Sequence, residues 1–226
     1  MSGMSTQAVI IAIDGPSGVG KGTVAHTLAR LLNFRHIDTG AMYRAVAWKA
    51  RHAGVDLADA AAVARVAEAA EFDLDGHVVI DGFDVTTAIR TAEMDGAAAI
   101  VARHPDVRAA LVRRQRSYGL DGGIVMEGRD IGTVVFPEAN VKLYLDATPE
   151  ERARRRARDA AHAASGGAAA VTDVAAALEA RDHSDRTRAA SPLTCAADAV
   201  YIDTTGVPID EVMRRVMAVI DERLGS

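Results

Sequence analysis

Two features of this chain carry residue types at spacings suited to handling phosphate. The first is the run Gly15, Pro16, Ser17, Gly18, Val19, Gly20, Lys21, Gly22 and Thr23. Glycines let a backbone curl so that successive N–H groups face one anion. A lysine near the end of such a loop supplies a compact charge for the outer phosphates. The strict signature puts a hydroxyl residue directly after the lysine, whereas here Gly22 intervenes and Thr23 carries the hydroxyl. The second feature is a concentration of arginine. Arg152, Arg154, Arg155, Arg156 and Arg158 are five in seven residues, more than Glu150 and Glu151 can pair. Arg181, Arg186 and Arg188 recur further on, and Arg129 stands beside Asp130. Together these suit phosphoryl transfer, which depends on positioning and charge stabilisation and needs no Ser–His or Cys–His nucleophile.

The elements around these residues read as an alternating β/α chain. Residues 8–13 are apolar and β-branched, a buried strand, and residues 23–32 follow as a helix with Val24, Leu28, Leu31 and Leu32 on one face. Strand, glycine loop and helix in that order place the loop at a helix N-terminus, where anions are favoured. Residues 35–38 form a second strand leading to a helix over 41–53, with Thr39 as its cap and Gly54 at its end. Asp38, Thr39 and Arg44 then lie at the carboxyl end of a strand, beside the loop. Taken alone they read equally well as caps and a surface charge. Strands at 123–126 and 141–145 follow, the first ending just before Arg129 and Asp130, and a last strand spans 201–203 before an amphipathic helix over 207–224.

Two departures from the alternation stand out. Residues 71–85 hold three short strands split by Asp75-Gly76 and Asp81-Gly82, the dipeptide of tight hairpins. This small antiparallel sheet reads as a recognition insert or as ornament. Residues 149–161 and a stretch from 172 to 188 read as two basic helical arms joined by the supple segment 163–170. Such a pair can close over polyphosphate and exclude water, or serve as a basic surface hairpin. A helix over 58–70 precedes the insert and helices over 91–104 and 106–118 follow it; Arg108, in the first turn of the last, opposes the helix dipole and hints at an anionic partner.

Composition sets the limits. The 226 residues, 49% apolar and 25% charged, fit a globular chain of one domain with insertions. A net charge of −5 argues against a nucleic-acid binder. The single Cys195 fits a reducing cytoplasm and leaves no cysteine-based metal site. Residues 1–7 lack the layout of a signal peptide, and no run of about 18 apolar residues suggests a membrane span. The order N-K-x-D of guanine-selective proteins is missing around Asn140 and Lys142.

The chain resembles the bacterial cytidylate kinases along nearly its whole length. The matching stretches are I-D-G-P-S-G-V-G-K-G-T (13–23), D-T-G-A-M-Y-R (38–44), I-R-T-A-E (89–93), P-D-V-R-A-A-L-V-R-R-Q-R (105–116), E-G-R-D-I-G-T-V-V-F-P (127–137), L-D-A-T-P-E-E-R (145–152) and R-D-H-S-D-R-T-R-A-A-S-P-L (181–193). The resemblance implies transfer of the γ-phosphoryl of ATP to CMP or dCMP, with Mg²⁺, by a monomer in the cytoplasm. It implies an α/β P-loop fold in one domain: a parallel-sheet core (1–38, 119–150 and 189–226), a monophosphate-binding part (39–118) with the small sheet, and an arginine-rich lid (151–188). By position, Lys21 and the loop amides would hold the ATP tail, with Arg152 and Arg156 as lid contacts. Arg44, Arg108, Arg129 and Arg188 would grip the acceptor phosphate and the moving phosphoryl. Asp130 and Asp185 would read sugar hydroxyls and Arg181 the cytosine edge, with Thr39 in the acceptor site. Ala99 stands where some relatives carry Ser near the base. A nucleotide-binding scaffold with a lapsed site and a kinase for UMP or AMP are the competing expectations.

Overall fold

The computed structural model describes residues 9–163 and 171–225, without the side chains of 159–163. The polar stretch 1–7 and residues 164–170 of the supple segment lie outside the described residues. The elements run β1 (Ile10–Asp14), α1 (Lys21–Leu32), β2 (Arg35–Asp38), α2 (Thr39–His52), α3 (Ala60–Ala69), β3 (Phe72–Asp73), β4 (Val79–Ile80), β5 (Phe83–Asp84), α4 (Ala92–Val101), α5 (Pro105–Tyr118), β6 (Ile124–Glu127), β7 (Val141–Asp146), α6 (Pro149–Ala163), α7 (Val171–Thr187), β8 (Val200–Asp203) and α8 (Ile209–Leu224). A π-helical turn, Ile131–Val135, follows β6.

Strands β2, β6, β1, β7 and β8 lie in that order, all parallel. Both faces are covered, so the central strands are apolar without alternation: Ile11, Ala12 and Ile13 of β1 and Ile124, Val125 and Met126 of β6 are fully buried. On one face α1 and α8 bring Val24, Leu28, Val212, Val216 and Ile220 onto Ile11, Ile13, Leu143 and Leu145. On the other, α2 and α5 bring Met42, Val46, Val107 and Leu111 onto Ala12, Ile37 and Met126. Truncating a filled position such as Leu28 to Ala in such a core costs about 2–5 kcal/mol. Among the described residues no helix is long and apolar enough to cross a membrane.

The inserted sheet has the order β3-β4-β5, antiparallel. Its second turn is the expected two-residue hairpin: Ile80 pairs with Phe83, and Asp81 and Gly82 take φ of 48° and 80°. The first is different. Asp73 pairs with Val79, so Asp75-Gly76 sits inside a wider loop. A second expectation also fails. The cap of α2 is Asp38, whose Oδ1 accepts the N–H of Ala41 at 3.0 Å. Thr39 is already helical, and its hydroxyl donates instead to the carbonyl of Glu127 at 2.7 Å. The neighbouring strand β6 offers that acceptor, which the local sequence cannot reveal.

Candidate active site

Register decides which residues meet. Ile13 at the end of β1 is level with Glu127 at the end of β6, and Glu127 is level with Asp38 at the end of β2. The phosphate loop, the Arg129-Asp130 pair and the start of α2 therefore emerge side by side from one edge of the sheet, the edge where such folds bind ligands.

The loop is held tightly. Gly15 has φ +144°, and a Cβ there would come within 2.0 Å of the Leu145 carbonyl oxygen on β7. Gly20, with φ 94°, caps α1 without a side-chain bond, and no acidic residue stands in the first turn. The first N–H groups of α1 are thus left for an anion. Lys21 is buried and donates to the Pro16 carbonyl at 2.7 Å. Burial, then the nearby Arg129, pushes its ammonium down to about 7.

Asp14 braces the other side. It accepts the N–H groups of Ile131 at 2.9 Å and Gly132 at 2.8 Å, the start of the π-helical turn. Burial pushes its carboxyl up to about 6 despite those two bonds. That turn aims Arg129 and Asp130, and irregular helical turns recur at functional sites.

From Arg129 a chain of alternating charges runs through buried side chains. Arg129 donates through Nη2 to the Ser17 hydroxyl at 2.6 Å and through Nε to Asp185 at 2.9 Å. Asp185 also pairs with Arg188 at 3.3 Å. Burial would raise the Asp185 carboxyl, but Arg129, Arg188 and Arg181 outweigh it and hold it low. Arg188 lies 3.6 Å from Asp130, which in turn pairs with Arg108. Arg108 is only 3% exposed, so this arginine of α5 is turned into the core. Its guanidinium lies 5.4 Å from the centre of the Tyr43 ring. Four buried polar atoms on or beside these residues make no hydrogen bond: Tyr43 Oη, Arg44 Nε, Arg108 Nε and Arg188 Nη2. Buried polar atoms are almost always satisfied, so a polar ligand is the natural partner for this group.

The arginines expected in a lid divide. Arg152 lies on the loop, 3.3 Å from the Ser17 carbonyl, and pairs with Asp182, which accepts the Ser17 N–H at 3.1 Å. Arg156 turns away from the loop to Asp95 on α4. Arg181 meets the same carboxylate at 2.9 Å, and Arg44, also bonded to Asp38 at 2.8 Å, approaches it at 3.7 Å. Thr39 and Gly128 touch closely, since a Cβ on Gly128 would come within 2.7 Å of the Thr39 hydroxyl.

Sequence reasoning missed Arg155. It donates to the Val19 carbonyl at 3.1 Å and to Thr204 at 3.0 Å and 2.6 Å. It thereby borders a cleft of about 280 Å³ lined by Gly20, Thr23, Val24, Thr204 and Val207 among others. Thr204 follows the carboxyl end of β8, and that placement was the available signal. Asp14 and Glu127, though inside the matching stretches 13–23 and 127–137, and Asp95, outside them all, were also given no site role.

The profile described as cytidylate kinase matches residues 11–222. The cytidylate kinase of Desulfitobacterium hafniense strain Y51 is 44% identical, with 95% of this chain and 93% of that protein covered. The one from Pelotomaculum thermopropionicum is 49% identical over 92% of this chain and 94% of its own. That of Solibacter usitatus is 45% identical over 99% and 97%. Among solved structures, an uncharacterised protein from Eubacterium ventriosum shares the fold, with a TM-score of 0.56 at 13% identity, covering 96% of this chain and all of its own. With the glycine loop, the arginine chain and these matches spanning nearly every residue, the chain belongs to the cytidylate kinase family.

Proposed function

We propose that this protein transfers the terminal phosphoryl group of ATP to CMP or dCMP, giving ADP and CDP or dCDP. The observation that carries the reading is four buried polar atoms without a hydrogen-bond partner, on Tyr43, Arg44, Arg108 and Arg188, in or beside the charge chain that Arg129 ties to Ser17 of the phosphate loop; we read the place between them as the acceptor cleft.

An oxygen of the acceptor phosphate attacks the γ-phosphorus in line. The new P–O bond forms as the bond to the bridging oxygen of ADP breaks, and the electron pair leaves with ADP. Arg44, Arg129 and Arg188 hold the acceptor phosphate against its own charge repulsion. Lys21 follows the moving phosphoryl. Arg129 bonds to Ser17 of the loop, so one side chain ties donor and acceptor sites. The cleft beside Arg155 receives the base of the donor, and Arg152 holds the loop from the lid side.

Arg108 and Asp130 suit the acceptor base. Their adjacent donors and acceptor complement cytosine, whose amino group donates while N3 and O2 accept. We therefore assign the base to this pair in place of Arg181, whose guanidinium is engaged by Asp95. Asp185 is left to the sugar hydroxyls, and Thr39 shapes the acceptor pocket through Glu127.

ATP enters with Mg²⁺ in this reading. Among the described residues no cluster of three or more His, Cys, Asp or Glu could cage a metal. That fits an ion held mostly by phosphate oxygens and water. The Thr23 hydroxyl and Glu127, whose Oε1 would lie 3.3 Å from a Cβ on Gly22, are the protein groups that would hold it. Such an ion neutralises charge on the outer phosphates. We further propose a monomer acting in the cytoplasm, to be checked by sedimentation and fractionation.

A coupled assay of ADP release with CMP, dCMP, UMP and AMP tests the reading. CMP and dCMP are expected to turn over fastest. Equal rates with all four would overturn the specificity, and no turnover with any would favour a nucleotide-binding scaffold.

A further inference from the structure

Asp95 occupies an unusual position. It stands in the first turn of α4, where a carboxylate complements the helix dipole. A dipole partner needs no arginine, yet three converge on this one side chain. Arg181 of α7 lies 2.9 Å from Oδ1, Arg44 of α2 lies 3.7 Å from the same oxygen, and Arg156 of α6 pairs with Oδ2. These arginines come from the acceptor-binding part and from both arms of the lid. Arg44 and Arg181 are mostly buried, at 16% and 20% side-chain exposure, and Asp95 itself is at 18%. Arg44, which the proposed reaction turns toward the acceptor phosphate, and two arginines of the helical arms are thus already neutralised by a carboxylate of the protein.

We infer that Asp95 is an internal stand-in for the acceptor phosphate, an autoinhibitory latch that engages Arg44, Arg156 and Arg181 and ties α6 and α7 to α4 while the site is empty. The inference rests on the reading of the cleft as an acceptor-phosphate site. A nucleotide entering that cleft must take at least part of this arginine set from Asp95. The latch has two consequences. It keeps the cationic lid from splaying apart through mutual repulsion, and it lowers apparent affinity by the fraction of molecules that are latched. A latch closed in about nine molecules of ten weakens apparent binding about tenfold. Glu93, two residues away, makes a separate and exposed pair with Arg51 at 2.5 Å and serves as a charge control.

The test compares the unchanged chain with Asp95→Asn, Asp95→Glu and Glu93→Gln. Each is titrated with CMP and, separately, with inorganic phosphate. Hydrogen exchange of α6 and α7 is followed without ligand, and KM and kcat are measured. Asp95→Asn is expected to bind both anions about tenfold more tightly, to lower the KM for CMP by a similar factor, and to speed exchange in α6 and α7. Asp95→Glu keeps the charge and should stay close to the unchanged chain, as should Glu93→Gln. Unchanged or weaker anion binding by Asp95→Asn would overturn the latch. So would the same tightening in Glu93→Gln, which would make the effect one of general charge. If the unchanged chain fails to phosphorylate CMP, the acceptor reading falls, while the phosphate titration and the exchange rates still decide the latch.

Discussion

Lys21 and Pro16 are joined by a 2.7 Å hydrogen bond that folds the lysine back onto its own loop. Its ammonium, pushed down to about 7, is close to half-charged at neutral pH. The negative charge of bound polyphosphate favours the protonated form. Binding of ATP should therefore take up about half a proton at pH 7 and more as pH rises toward about 9. Calorimetry in buffers of different ionisation enthalpy reads this directly. No uptake would mean that Lys21 stays fully charged before ATP arrives. Lys21→Ala should lower kcat by about 10²–10³-fold. Its melting temperature should not fall, because a buried ammonium costs solvation.

Asp14 gives a pH signature in stability. Its folded value of about 6 lies above the ordinary 3.8, so the folded state holds that proton more tightly than the unfolded chain does. The stability it contributes is complete below about pH 4 and is lost as pH rises through about 6. The advantage of the unchanged chain over Asp14→Asn should shrink by about 3 kcal/mol across that window. Urea titrations at several pH values check it, and a flat difference would show that Asp14 is not held neutral.

The Arg108–Asp130 pair separates structure from recognition. Breaking a buried pair from one side leaves an unpaired charge and costs about 3–5 kcal/mol. Asp130→Asn should lower the melting temperature and narrow the preference for CMP over UMP. Replacing both partners, as Arg108→Met with Asp130→Leu, should recover much of the stability and none of the preference. Recovery of the preference would place the base elsewhere.

Arg155 tests the donor side. Arg155→Ala removes bonds to Val19 and Thr204 beside the cleft. The KM for ATP should rise about tenfold, the loss of a charge-assisted contact, with the KM for CMP changed less than twofold. An equal rise in both would make Arg155 a general support of the fold.

The sheet and the glycine loop were legible because their signals are local. An apolar strand, a turn and an amphipathic helix announce themselves within a few residues. The hairpin at Asp81-Gly82 was legible for the same reason. The first turn was not, because the register of Asp73 with Val79 depends on the whole sheet. The Thr39 cap failed because a hydroxyl takes whichever acceptor the tertiary fold presents, here the Glu127 carbonyl. The place of Arg108 in a first helical turn hinted at an anionic partner, and only the fold supplies one in Asp130, twenty-two residues on, which explains its burial. Arg156 was placed on ATP by the family resemblance, and on the helix it meets Asp95. Charged residues at spacings that suit several faces are the ones sequence leaves undecided.

The pairing of β1 with β6 also sets an order of events during folding. Ser17 and Arg129 are 112 residues apart in the chain and 2.6 Å apart in space. Contacts of such span carry a large loop-closure cost and form late relative to local ones. A chain with only its first strand, loop and helix assembled holds the glycine loop without Arg129 beside it, and so only part of the proposed site. Catalytic competence therefore arrives together with the finished sheet. An incomplete chain, newly made or partly unfolded, is then expected to consume no ATP.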